Sequence, residues 1–205
     1  MILYDYVLSA SCYKVRLMAA LLNISLKPHA VNFHPERAHK SDEMLALNPA
    51  GTLPILVDGP IILSDTADIL KHLTAENEDW RHAEDDTWLM FAGRLNDSLG
   101  MARLHDVIGY DADIDAVRAL GILAIRELEA HLTQQRFEGH IFLTGSSPTI
   151  ADIACFPNIA LAPDGGVSID FYPSIRLWLR AIRSLPGFIE MPGIHRMHEL
   201  VEVTA

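Results

Sequence analysis

Residues 2–23, ILYDYVLSASCYKVRLMAALLN, change their hydrophobic period midway, and that change decides the fold of the first half of the chain. Residues 2–7 are a short apolar and aromatic run of the kind that makes a buried strand. From residue 13 to 23 the spacing predicts a helix, with Val15, Met18 and Leu22 on one face and Leu17 and Leu21 beside it. Between the two lies Ser9-Ala10-Ser11-Cys12, a junction of hydroxyls and a thiol. The first turn of a helix leaves N–H groups unsatisfied and carries the positive end of the dipole, so a nearby anion, including a thiolate, is stabilised there. A serine that simply caps the helix explains the same residues without a ligand.

Working outward, a second extended segment is expected around residues 29–33. Residues 54–58 and 61–63 flank Asp58-Gly59-Pro60, which reads as the turn of a hairpin. Ser64 or Asp65 then caps a helix that turns Ile69, Leu70 and Leu73 inward. Strand, helix, strand, hairpin and helix is the order of a thioredoxin-like sheet. Residues 75–86, AENEDWRHAEDD, are polar and acidic. The expected division is a thioredoxin-like domain over 1–76, a linker over 77–86 and an all-helical domain over 87–205. In that last part Trp88, Phe91, Ala92, Leu95 and Leu99 recur at helical spacing. So do Val117, Leu120, Ala124 and Leu128, and then Ile175, Trp178, Leu179, Ile182 and Leu185. Such stripes bury against one another in a bundle. Thr149 with Asp152 is a capping box with Asp in place of Glu, and 186–193, PGFIEMPG, reads as a strap over the bundle.

Composition narrows the function classes. Lys+Arg 16 against Asp+Glu 27 gives a formal net charge of −11, which argues against a nucleic-acid binder. Half the residues are hydrophobic, enough for a substantial core. The two cysteines, Cys12 and Cys155, make neither a disulfide framework nor a four-thiolate metal site. Apolar runs such as LMAALLNI from Leu17 fall far short of the roughly 20 residues of a membrane span, and no signal-like start precedes them. A cytoplasmic protein is expected, with no membrane partner. His195 and His198 are three apart, but no third ligand keeps a recognisable spacing, so no metal is expected.

Four stretches taken together, LYDYVLSASCYKVRL, NPAGTLPIL, LSDTADILKHL and FLTGSSPTIADIACFP, resemble the cytosolic glutathione transferases, bacterial members and the serine-using theta and zeta classes above all. The resemblance spans essentially the whole chain. It implies a thioredoxin-like domain followed by a helical one, a homodimer, and activation of the glutathione thiol for attack on a small electrophile. Isomerase or thiol-oxidoreductase chemistry, or a binding role that retains the scaffold, are the alternatives it leaves.

Carried over by residue, the resemblance puts Ser9 where those classes keep the serine that stabilises the thiolate, with Ser11 second and Cys12 third. Tyr4 and Tyr6 precede the loop and are expected to alternate faces along the strand. Leu53 stands before the family's cis-proline, here Pro54, and its backbone would pair with the cysteinyl part of glutathione. Asp65 and Thr66 replace the usual Glu-Ser that holds the γ-glutamyl end, and Asp is one methylene shorter. His39, or Lys40, falls near the glycine carboxylate, while Thr52 replaces a usual Gln or Lys. Met101, Arg103 and His105 are candidates for the electrophile pocket between the domains.

Overall fold

In the computed structural model, which describes residues 1–195, the chain forms a four-stranded sheet with helices, followed by a helical bundle. Strand β1 (Ile2–Asp5) runs parallel to β2 (Lys27–Ala30) and antiparallel to β3 (Ile55–Asp58), which pairs in turn with β4 (Ile61–Leu63). The resulting order, β2-β1-β3-β4, is the thioredoxin-like arrangement. The hairpin turns at Gly59, whose φ of +57° suits a residue without a Cβ. Helix α1 (Ala10–Leu21) connects β1 to β2, α2 (Asp42–Leu47) precedes β3, and α3 (Thr66–Leu73) follows β4.

Helix α1 starts three residues earlier than the apolar period predicts, because Ser9 caps it: its Oγ accepts from the Cys12 N–H at 3.2 Å. Asp65, rather than Ser64, caps α3, accepting from the Ala67 and Asp68 N–H groups at 2.8 and 3.1 Å. The second half contains α4 (Asp85–Leu95), a π-helical turn (Asn96–Gly100), α5 (Met101–Ile108), α6 (Ile114–Phe137), α7 (Ile150–Ala160) and α8 (Pro173–Arg183). Helix α4 begins inside the stretch expected to be linker. Asp85 is buried there, accepting from the His82 N–H at 2.7 Å and from the Thr149 hydroxyl at 3.1 Å.

Helix α7 is the axis of the bundle, and every residue from Ile150 to Ile159 is buried. It packs against α4, α1, α3 and α8, so the two halves share one core. Its N-terminus carries the expected capping box. The Asp152 carboxylate, fully buried, accepts from the Thr149 N–H (2.9 Å), the Leu143 N–H (3.0 Å) and the Trp178 indole N–H (2.7 Å). Burial pushes its pKa up to about 6 against these donors, so it is still an ionised acceptor at neutral pH. The strap at 186–193 crosses α1 as well as the bundle. Phe188 packs edge-on to Phe156, the Tyr13 hydroxyl donates to the Ile189 carbonyl at 2.7 Å, and Gly187 lies against the Ala20 carbonyl with φ +86°. His198 lies outside the described residues; the His195 carbonyl accepts from Arg183.

Asp152→Ala would leave three buried donors unpaired. At about 1–3 kcal/mol for each unsatisfied group, the expected loss is about 3 kcal/mol or more. Urea denaturation measures it, and a wild-type midpoint would contradict this account of the α7 N-terminus.

Candidate active site

The end of β1, the N-terminus of α1 and the turn before β3 meet the π turn, α5 and α7 across a cleft of about 200 Å³. From the first half it is lined by Tyr6, Leu8, Ser9, Ser11, Phe33, Thr52 and Leu53, and the Leu53–Pro54 bond is cis. From the second half come Asn96, Leu99, Gly100, Arg103, Leu104, Asn158 and Leu161. Ser9, Ser11, Leu53 and Arg103 are thus brought to one cleft.

The two serines differ in what their hydroxyls do. The Ser9 Oγ uses a lone pair to cap α1, which leaves its proton to be donated. The Ser11 Oγ donates to the Asn96 side-chain oxygen at 3.4 Å. Cys12, the third candidate, requires correction. It points into the core with no exposed surface, and burial pushes its thiol up to about 12, opposed by the Ser9 hydroxyl. A thiol held neutral and out of contact with solvent is not a nucleophile.

Arg103 is buried at 6% exposure. It donates to the Leu8 carbonyl at 2.7 Å and to Asp164 at 3.1 Å, tying α5 to the loop that carries Ser9. Met101 and His105 are not in the cleft: residues two apart on a helix project to nearly opposite sides, and His105 turns to the Tyr110 carbonyl instead. The residues that do share the cleft face, Asn96, Leu99, Gly100, Arg103 and Leu104, recur at intervals of three and four, a signal present in the sequence.

Apart from Ser9 and Leu53, the expected glutathione contacts on the thioredoxin-like half, His39, Lys40, Pro54, Asp65 and Thr66, do not line this cleft. Thr66 opens α3 behind the exposed Asp65 cap. His39 is buried at 6% exposure and stacks on Phe33, which stacks on Tyr6, with ring centroids 4.1 and 5.5 Å apart. Tyr6, expected to alternate faces with Tyr4 along the strand, lies just past the end of β1 and lines the cleft at one end of an aromatic row that reaches His39. Burial, with Lys40 and Arg37 nearby, lowers the His39 pKa, so the ring is neutral at pH 7, and its Nδ1 has no protein partner. Lys40 donates to the Ala50 carbonyl at 2.9 Å and lies over Gly51, where a Cβ would meet it at 2.7 Å. The lysine thereby braces the turn leading to Leu53. Among the described residues no group of three or more His, Cys, Asp or Glu side chains is placed to hold a metal ion, and no helix is long and apolar enough to cross a membrane.

Both cysteines are buried with raised thiol pKa. A disulfide thiol reagent at pH 8 should therefore find no fast-reacting group in the folded protein and both thiols after denaturation. Rapid titration of one thiol in the native state would restore Cys12 as a candidate.

Comparison with known proteins agrees with this geometry. Residues 3–80 match the family model for the glutathione S-transferase N-terminal domain, and residues 111–181 match that for the C-terminal domain. Glutathione S-transferase 2 of Anopheles gambiae is 28% identical over 195 residues, covering 87% of this chain and 88% of its own. A maleylacetoacetate isomerase of Pseudomonas aeruginosa is 26% identical, covering 91% and 92%. A possible glutathione S-transferase from Rhodopseudomonas palustris, solved by crystallography, superposes with a TM-score of 0.83 at 25% identity over 93% of this chain and 97% of its own. With matches to both halves, in order, on a thioredoxin-like sheet joined to a helical bundle, the chain belongs to the glutathione S-transferase family.

Proposed function

We propose that the protein is a cytoplasmic glutathione transferase in which the Ser9 hydroxyl donates to the glutathione sulfur and holds it as a thiolate for attack on a small electrophile. One observation carries this reading: Ser9 caps α1 through a lone pair while lining the cleft, so its proton can serve the ligand. Ser11 spends its proton on Asn96, and Cys12 is buried, which leaves Ser9 as the strongest of the three. A free thiol has a pKa of about 8.5 and is only a few per cent ionised at neutral pH. Lowering that value by about two units requires roughly 2.7 kcal/mol of preferential stabilisation. A hydrogen bond to a charged acceptor supplies about 1.5–3 kcal/mol, and the helix end adds to it.

In this reading glutathione lies against the turn before β3, its cysteinyl backbone on Leu53 beside Pro54. Asp65 and Thr66 hold the γ-glutamyl end, and His39 and Lys40 stand near the glycine end. The orphaned His39 Nδ1 supports a polar partner there. The electrophile occupies the side of the cleft walled by Leu99, Gly100, Arg103 and Leu104.

Isomerisation is the second reading, because the Pseudomonas isomerase aligns over nine-tenths of both chains. Disulfide chemistry loses its support with the burial of Cys12. A scaffold kept only for binding would bind glutathione yet turn over neither haloalkanes nor a maleyl acid; turnover of either excludes it and tells the first two readings apart.

Ser9→Ala should raise the pKa of bound glutathione by about one to two units and lower turnover at pH 7 about tenfold or more. Ultraviolet titration of the thiolate measures the shift. A wild-type curve in Ser9→Ala, with a displaced one in Ser11→Ala, would transfer the role to Ser11. We also infer a homodimer, for which light scattering should give twice 22.8 kDa; the monomer mass at working concentration would rule it out.

A further inference from the structure

Lys14 sits in the second turn of α1 with only 3% of its surface exposed. No carboxylate among the described residues lies within ion-pairing distance of its ammonium. The hydrogen-bond partner it has is the side chain of Asn158 on α7. In the orientation that its donors require, the Asn158 oxygen accepts from Lys14 Nζ at 3.3 Å and from the Asn96 N–H at 3.2 Å. That arrangement turns the Asn158 NH₂ to the other side, toward Gly100. Gly100, Asn96 and Asn158 all line the cleft. A side chain at position 100 would place its Cβ 3.3 Å from the Asn96 amide oxygen and 3.7 Å from the Asn158 amide, so glycine leaves both amides open to the cleft. The Asn96 oxygen also receives the Ser11 hydroxyl. Lys14, Asn158, Asn96 and Ser11 thus form one polar chain, from a buried cation to the loop that carries Ser9.

A buried ammonium without a counter-ion is an expensive thing for a core to hold, and replacing buried charge with an apolar side chain is often neutral or stabilising. Lys14 therefore has no evident role in stability. In a chain of net charge −11 its placement is also against the average, and unlike the buried Arg103 of the cleft wall, which is paired with Asp164, it has no carboxylate beside it. Low-dielectric surroundings leave the field of such an ammonium less screened by solvent.

We propose that Lys14 is a positioning residue for the site: its ammonium fixes the Asn158 amide with the NH₂ toward the cleft and supplies the positive potential that favours the glutathione thiolate. This rests on the reading of the cleft as the place where the sulfur is bound. Burial lowers the Lys14 pKa to about 8, partly offset by the Asp65 carboxylate at the start of α3. The Cys155 thiol is itself held neutral by burial, and the π turn presents the uncharged Asn96 on its side. The lysine is therefore still mainly charged at neutral pH, where a thiolate needs it.

The test compares wild type with Lys14→Met, which keeps the length of the side chain without its charge, and Lys14→Arg, which keeps the charge. Glutathione binding is measured by calorimetry, the pKa of its bound thiol by ultraviolet titration, and stability by urea denaturation. Lys14→Met should be at least as stable as wild type, with the bound thiol pKa raised by about one unit or more, as expected on losing a nearby opposite charge. Its kcat at pH 7 should fall several-fold with a much smaller change in KM for glutathione, and Lys14→Arg should recover much of the low thiol pKa. An unchanged thiol pKa in Lys14→Met overturns the proposal alone. So does a shift accompanied by lost stability and not recovered by arginine, since that is the signature of a structural residue. Failure of the wild type to bind glutathione would overturn the reading of the cleft, and the proposal with it.

Discussion

The packing of α1 against both halves of the molecule is the constraint on which the rest depends. Cys12, Tyr13, Lys14, Val15, Leu17, Met18 and Ala19 are all buried, so the helix has scarcely any solvent face and must be covered on every side. Helix α3 and the sheet residues Leu3 and Leu56, which share its core, cover part of it, and α7 and the strap cover the remainder. Once α1 is held in this way, its N-terminus has one possible aim, across the end of β1 and into the space facing α5. The cleft is a consequence of that aim: Ser9 caps the helix at its mouth, while Arg103 reaches over from α5 to hold the Leu8 carbonyl beside it.

Features encoded within a few residues were legible in the sequence. The hairpin about Asp58-Gly59-Pro60, the acidic cap at Asp65 and the Thr149–Asp152 box are each complete within a short window, and each is present. Hydrophobic period puts the start of α1 too late because it registers only once side chains meet the core, whereas the Ser9 cap starts the helix ahead of them. The pocket was only partly legible. Arg103 belongs to it, but Met101 and His105, two residues to either side, face away for reasons of helical geometry alone. Cys12 could not be excluded by position, since a thiol at a helix N-terminus is reactive or inert according to burial, and burial is set by α1's neighbours. The polar chain from Lys14 was hidden for a different reason. It joins residues 14, 96 and 158, which come together only when the two halves close on one core.

The electrostatics divide along the same line. The chain is acidic on average, while the cleft takes in a helix N-terminus and the Asp164-paired Arg103, with the buried Lys14 one amide behind its wall. On the proposed reading a thiolate is favoured there without any covalent step by the protein, because donors already in position need no reorganisation as charge forms. The apolar residues of the opposite wall, Leu99, Leu104 and Leu161, carry no comparable code. A methylene more or less in such a wall changes discrimination by only about 1–3 kcal/mol, so the electrophile is encoded far more weakly than the thiol.

The central claim, that the sulfur of glutathione is bound at the α1 N-terminus by Ser9, is tested most directly by a crystal structure of the protein soaked with glutathione. The account predicts the sulfur within about 3.5 Å of the Ser9 Oγ, with the cysteinyl backbone along Leu53. A sulfur lying nearest to Ser11 or Cys12, or a glutathione bound away from the cleft, would contradict it.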